Sequence, residues 1–272
     1  MTVTNPTAAD PIEDQGVGRV RGVPAAIVFG SFVLFTAMPL LRGAWWWTAL
    51  AALGVLAVAA VLVRSAEAIH VAMFCALGPA SSWLMPDWVI WPFPYAVALL
   101  LSSGVAWRTP MLRRSLRWAR RGQLGRTEWL MIAGATVISS TALVGWFVLL
   151  RPDLSDLRGM IPPGTAPWLI ALGAVGFSMC NAAVEESIWR GVLLQGLQAT
   201  GPPTAAVVLQ ALSFGIAHIH GFPRGAIGIA LAAIYGLMIG VIRVRSQGML
   251  APWIAHVFAD LTIVAILATL AF

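Results

Sequence analysis

The sequence predicts an all-α protein, a polytopic transmembrane helix bundle with eight to nine spans. Its 272 residues are 59% hydrophobic and 10% charged, whereas a soluble domain carries about 25% charged residues. The mean hydropathy is +0.84. The apolar residues fall into runs close to the roughly 20 residues that a membrane-spanning helix needs. Nine such runs lie at about 23–41, 44–63, 68–85, 88–107, 129–150, 167–195, 204–221, 225–242 and 250–271.

The arginines predict how the bundle lies in the membrane. All 17 basic residues are arginine, and many of them cluster in a basic loop, residues 108–128, between the fourth and fifth runs. An excess of positive charge marks cytoplasmic loops, so we expect a multi-pass protein of the cell (inner or plasma) membrane with this loop in the cytoplasm. With nine spans the N-terminus is cytoplasmic too. The net charge of +6 therefore concerns topology, and we expect a lipid bilayer and no nucleic acid as partner.

The chain divides into three regions. Residues 1–22 are expected to be a disordered cytoplasmic tail, because they are polar and lack a cleavage-site pattern. Residues 23–128 hold the N-terminal transmembrane helices and the basic loop. Residues 129–272 are expected to form the transmembrane core that holds the functional site, because polar groups appear at membrane depth from Pro167 onward. Aromatic residues near the span ends of the first half are expected to be interface anchors, namely Trp45, Trp46, Trp47, Trp88, Trp91 and Tyr95.

Three charged residues lie inside the apolar run from about Pro167 to Leu197: Glu185, Glu186 and Arg190. An ionisable residue at membrane depth is costly unless it is paired or faces a wet cavity. Helical residues four apart share a face, so Glu186 and Arg190 can form an ion pair that leaves Glu185 free. A purely structural ion-pair cluster would produce the same stretch.

Two later helices carry histidines at membrane depth. Phe214 and His218 are four apart and share a face, whereas His220 lies near the helix end and is expected at the solvent edge. His256 and Asp260 are also four apart, so Asp260 could accept a hydrogen bond from His256 and fix its tautomer.

Six ionisable groups from three helices are therefore expected to face one another across a shared polar cavity. They are Glu185, Glu186, Arg190, His218, His256 and Asp260. A carboxylate beside imidazoles can activate water, with Glu185 as general base, His218 positioning the water and His256 donating to an oxyanion. We favour no cofactor, but zinc is possible, because Glu185, His218 and His256 are also zinc-ligand types.

The three ordered motifs, Glu185-Glu186-x-x-x-Arg190, Phe214-x-x-x-His218 and His256-x-x-x-Asp260, resemble those of the CPBP family. These are the CAAX-protease and bacteriocin-processing (Abi) intramembrane endopeptidases. The resemblance covers roughly residues 167–271. It implies an intramembrane peptidase that hydrolyses a peptide bond of a membrane-associated protein or peptide precursor.

The resemblance also implies residue roles. Glu185 and His218 would activate the water, His256 and the residue at 260 would form the oxyanion site, and Glu186 with Arg190 would give structural support. The family has been argued to be both zinc-dependent and glutamate-based, and we favour the glutamate mechanism. The chain has Asp260 where asparagine is the commoner family residue, and a carboxyl group stabilises an oxyanion only if protonated or through His256.

Two other classes of protein also fit buried Glu, His and Asp residues. A proton- or metal-coupled transporter would use such residues as a relay. It predicts paired broken helices in both halves, and the membrane runs of the first half offer no charged partners. A non-catalytic membrane scaffold or immunity factor would not depend on Glu185 for its effect.

Overall fold

A computed structural model describes residues 19–86, 89, 91–157, 161–162 and 164–269. Within these residues the protein is built from α-helices and short helical turns, without β-strands, which confirms the predicted fold class. Most of the predicted tail 1–22, together with Trp88, lies outside the described residues. The helices are α1 (Val23–Ala37), α2 (Ala44–Leu62), α3 (Ala66–Leu84), α4 (Phe93–Arg108), α5 (Arg126–Leu150), α6 (Pro167–Glu186), α7 (Leu194–Thr200), α8 (Pro203–Ala217), α9 (Gly225–Arg245) and α10 (Leu250–Ala268).

Each of the nine predicted apolar runs contains a helix among its described residues, and seven helical segments of the described chain are long and apolar enough to cross a membrane. They are Val23–Leu40, Ala44–Leu62, Arg126–Leu150, Pro167–Thr200, Pro203–His220, Gly225–Arg245 and Leu250–Ala268. The two other predicted runs form α3 and α4. Helix α4 has only 16 residues, and α3 contains Glu67, His70 and Pro79.

Helix α3 tolerates its polar residues because they face other parts of the protein. It packs against α1, α2 and α4 and buries both Glu67 and His70. The Glu67 carboxylate lies 3.2 Å from the Arg114 guanidinium, and His70 Nδ1 donates to the Ser115 carbonyl at 3.2 Å. Both partners belong to the basic loop, so α3 holds this loop against the bundle.

Small residues bring α8 and α9 into close contact, as the glycine-rich composition of 225–242 indicates. Gly236 lies against Ala211, and a Cβ at Gly215 would come within 2.6 Å of the Ile229 carbonyl oxygen. Helix α10 packs against α5, α6 and α9. These contacts place the helices with the candidate residues side by side.

Contacts between connections show which helix ends lie together. The α1–α2 and α8–α9 connections meet through Arg42 and His220. The α5–α6 and α8–α9 connections meet through a 3.0 Å salt bridge between Arg224 and Asp156. These three connections share one end of the bundle, and the basic loop and the α9–α10 turn share the other.

The basic loop is bonded to the α9–α10 turn through the backbone. Met249 N donates to the Arg120 carbonyl at 2.7 Å, and Leu250 N donates to the Arg121 carbonyl at 3.1 Å. The next residue, Gly122, has a φ of +77°, a conformation that glycine adopts without steric cost. The loop therefore covers the start of α10.

The docked loop predicts the effect of enlarging Gly248. In Gly248→Ala the new methyl group would overlap the backbone of Arg121 and Gly122. Overpacking of this kind lowers the free energy of unfolding by about 1–3 kcal/mol, which denaturant titration in detergent micelles would measure. Gly173→Ala is the control, because a methyl group there meets no atom within 4 Å. Equal unfolding midpoints for the two variants would contradict the docked arrangement.

Candidate active site

The end of α6 and the turn that follows it carry the acidic part of the site. Residues Ser187–Leu193 form a π-helical turn between α6 and α7, and such turns occur frequently at functional sites. Glu186 Oε1 lies 3.1 Å from Arg190 Nη1, with both side chains at most 1% exposed. The predicted ion pair is therefore present and fully buried.

Arg190 also contacts the two helices that pack beside α6. Its Nη2 donates to the Gly236 carbonyl on α9 at 3.4 Å, and its Cζ lies 4.4 Å from the centre of the Phe214 ring on α8. A guanidinium over an aromatic face is an attractive arrangement. Arg190 thus neutralises Glu186 and connects three helices at the same point.

His256 is oriented by Glu186, and the prediction that Asp260 fixes its tautomer was wrong. His256 Nδ1 lies 2.7 Å from Glu186 Oε1, so this nitrogen donates to the carboxylate. Asp260 Oδ1 lies 3.6 Å from Nε2, too far for a good hydrogen bond. The four-residue spacing does place Asp260 beside the ring, but the carboxylate from α6 approaches His256 more closely.

Glu185 and Asp260 lie together on the Nε2 side of His256. Glu185 Oε2 is 3.4 Å from Nε2. The Nδ2 atom of Asn181 lies 3.2 Å from Glu185 Oε1 and 3.0 Å from Asp260 Oδ2. The two carboxyl groups therefore share one amide nitrogen as their hydrogen-bond donor.

Asn181 and Trp91 are site residues whose roles the sequence analysis missed. Trp91 Nε1 donates to Asn181 Oδ1 at 2.7 Å, so the residue expected to be an interface anchor also reaches the site. Asn181 could have been found from the sequence, because it lies four residues before Glu185 on the same helix face. No pattern in the sequence indicated the contact of Trp91 across helices.

His218 lies in a 3₁₀ turn, His218–His220, at the end of α8. Its Nδ1 donates to the Phe214 carbonyl at 2.8 Å, which leaves Nε2 as an acceptor in the neutral ring. Its hydrogen bonds in the described structure do not include Glu185, and the two residues meet only as walls of the same cavity. His220 is exposed and contacts Arg42, as expected for a residue at the solvent edge.

A cavity of about 240 Å³ brings four of the six predicted residues together. Its polar wall is formed by Glu185, His218, His256 and Asp260, with Asn181 beside them. Much of the remaining wall is apolar and includes Ile138, Leu143, Phe177, Phe222, Met238 and Ile263. A water molecule occupies about 30 Å³ in the liquid, so the cavity has room for water and a small part of a substrate.

Glu186 and Arg190 do not line this cavity. Glu186 instead borders a second, more open cavity at the basic-loop end, together with Trp118, Arg121 and Trp253. His256 lies between the two, with Nδ1 toward Glu186 and Nε2 toward Glu185. The adjacent glutamates therefore face different compartments.

The zinc alternative requires Glu185, His218 and His256 to converge on one ion. Among the described residues, no group of three or more His, Cys, Asp or Glu side chains is arranged to hold a metal ion. His256 Nδ1 is occupied by Glu186, which leaves only Nε2 of that ring for a metal. The described side chains as placed therefore do not fit a zinc site.

The fold and the site together define a multi-pass membrane protein with a buried cluster of acidic and basic side chains. Residues 166–262 match the family model described as type II CAAX prenyl endopeptidase Rce1-like. This match confirms the resemblance drawn from the three motifs, and the matched segment includes all six predicted residues. Searches of curated proteins and of solved structures gave no match.

The buried ion pair predicts a large effect of removing Arg190. Arg190→Met removes the guanidinium and leaves the buried Glu186 carboxylate with the hydrogen bond from His256 Nδ1, and breaking a buried pair by removing one partner costs about 3–5 kcal/mol. The denaturant midpoint in micelles should fall accordingly, and the additional change Glu186→Gln should recover part of the loss. Arg224→Met, which breaks the exposed pair with Asp156, is the control and should change the midpoint little. A small effect of Arg190→Met would contradict the role assigned to the pair.

Proposed function

We propose that the protein is a glutamate-dependent intramembrane endopeptidase that hydrolyses a peptide bond of a membrane-associated protein or peptide. The observation that carries the proposal is the shared cavity, in which Glu185, His218, His256 and Asp260 face an otherwise largely apolar wall. The family match over residues 166–262 supports the reaction class.

Glu185 is suited to the role of general base. It lies in the cavity wall, and Arg190 is committed to the neighbouring Glu186. In the proposed step Glu185 takes a proton from water as the water oxygen bonds to the substrate carbonyl carbon. The carbon–nitrogen bond then breaks, and the same proton passes to the leaving amine.

The two histidines are suited to hold the reacting groups. His218 Nε2 can accept a hydrogen bond from the attacking water, because Nδ1 already donates to Phe214. His256, when protonated at both nitrogens, keeps its bond to Glu186 and has an Nε2–H to donate to the oxyanion. The apolar wall excludes bulk water, which strengthens these interactions.

We place the basic loop in the cytoplasm. It carries Arg113, Arg117, Arg120 and Arg121 as exposed residues, more than the described part of the opposite end, where Arg42 and Arg151 are exposed and Arg224 is paired with Asp156. The positive-inside rule then orients the bundle.

Replacing Glu185 by glutamine removes the base and keeps the side-chain volume. Cells carrying the intact protein, Glu185→Gln or His220→Gln at matched levels would be compared by mass spectrometry of membrane-protein termini. We expect specific new termini with the intact protein and with His220→Gln. With Glu185→Gln they should fall by about 100-fold or more, the usual contribution of a general base.

His220→Gln is the matched control, because it changes a nearby histidine that lies outside the cavity. Termini that form equally with Glu185→Gln would contradict the proposal. An effect of the intact protein on cells without any new termini would instead favour a transporter or a non-catalytic scaffold.

A further inference from the structure

Asn181 connects the two carboxyl groups of the cavity. Its Nδ2 atom contacts Glu185 Oε1 at 3.2 Å and Asp260 Oδ2 at 3.0 Å. The asparagine nitrogen carries two N–H groups, so it can donate one to each carboxyl. Two carboxylates sharing a site repel each other, and a common donor offsets part of that repulsion. Asn181 is only 5% exposed, which keeps water from replacing it.

Trp91 determines which way the Asn181 amide faces. The oxygen and nitrogen of an amide must be assigned from their hydrogen-bond partners. The indole N–H of Trp91 can only donate, so the atom that it contacts at 2.7 Å is the amide oxygen. The amide nitrogen is then left facing Glu185 and Asp260.

The Trp91 ring is itself held by neighbouring aromatic rings. Its centre lies 4.9 Å from that of Tyr95 and 6.4 Å from that of Trp189. Tyr95 belongs to α4 and Trp189 to the turn that follows α6. The series of hydrogen bonds from Trp91 through Asn181 to the two carboxyl groups therefore joins the first half of the protein to the site.

We infer that Asn181 is a positioning residue for the hydrolysis, and that Trp91 holds its amide in the orientation that Glu185 and Asp260 require. The inference rests on the proposed function. The amide keeps the Glu185 carboxylate against the cavity and keeps Asp260 beside it. Loss of this contact would let the base move, and a displacement of about 1 Å can reduce a rate by about 100-fold.

The test measures how fast isolated membranes form the termini that the intact protein produces. Asn181→Asp replaces the shared donor by a third carboxyl group, and we expect a rate about 100-fold lower. The double variant Asn181→Asp/Asp260→Asn exchanges the two side chains, so that positions 181, 185 and 260 again hold one amide and two carboxyl groups. Its rate should recover to within about 10-fold of the intact rate. Trp91→Phe keeps an aromatic ring but loses the N–H, and it should lower the rate by about 10-fold, the effect of losing one buried hydrogen bond.

The outcomes separate the inference from the proposed function. If Glu185→Gln is inactive but Asn181→Asp keeps the intact rate, the inference is overturned and the function stands. A double variant that folds but shows no recovery would also overturn it. If Asn181→Asp fails to fold, Trp91→Phe decides, because an unchanged rate removes the proposed role of the amide orientation. A Glu185→Gln variant with the intact rate would refute the function itself.

Discussion

The buried ion pair between Glu186 and Arg190 is the interaction on which the rest of the site depends. Charges inside a membrane protein are tolerated when they are paired, and this pair is at most 1% exposed. It fixes a carboxylate at the point where His256 Nδ1 can donate to it at 2.7 Å. The opposite nitrogen of the ring must then face Glu185 and Asp260. One ion pair thereby sets the orientation of the residues that we propose to carry out the chemistry.

The apolar part of the bundle supports this arrangement from three sides. Close packing of α8 on α9 brings Phe214 and the Gly236 carbonyl to Arg190. The basic loop bonds to the start of α10, the helix that carries His256. The first half of the chain reaches the site through Trp91. Residues outside the segment 166–262, which matches the Rce1-like model, therefore also contact the site and hold its helices in place.

Much of the fold and part of the site could be predicted from the sequence, because helical spacing is a local property. The pairs Glu186–Arg190 and Phe214–His218 lie four residues apart, and the structure shows each pair in contact. The apolar runs likewise placed the helices. Helix α4 departed from an ideal span because it has only 16 residues. Helix α3 departed because it contains Glu67 and His70, whose partners in the basic loop hydropathy does not register.

The contacts between helices could not be predicted in this way. The sequence suggested Asp260 as the partner of His256, since the two share a face of α10, yet Glu186 from another helix is closer. Asn181 drew no assignment because an amide carries no charge to mark it. Trp91 was interpreted as an interface anchor because it is an aromatic residue near a span end. Its hydrogen bond to Asn181 forms because the α3–α4 connection packs against α6, which the sequence does not show. Such contacts depend on how helices cross, which spacing within one helix does not determine.

The central claim is that water held by Glu185 attacks a peptide bond, and isotopic labelling tests it most directly. Membranes containing the intact protein would be incubated in H₂¹⁸O, and newly formed C-termini would be analysed by mass spectrometry. The account predicts that each new carboxylate carries one ¹⁸O atom and that labelled termini form far more slowly in membranes containing Glu185→Gln. Unlabelled new termini, or labelled termini that form equally fast in both membranes, would contradict it.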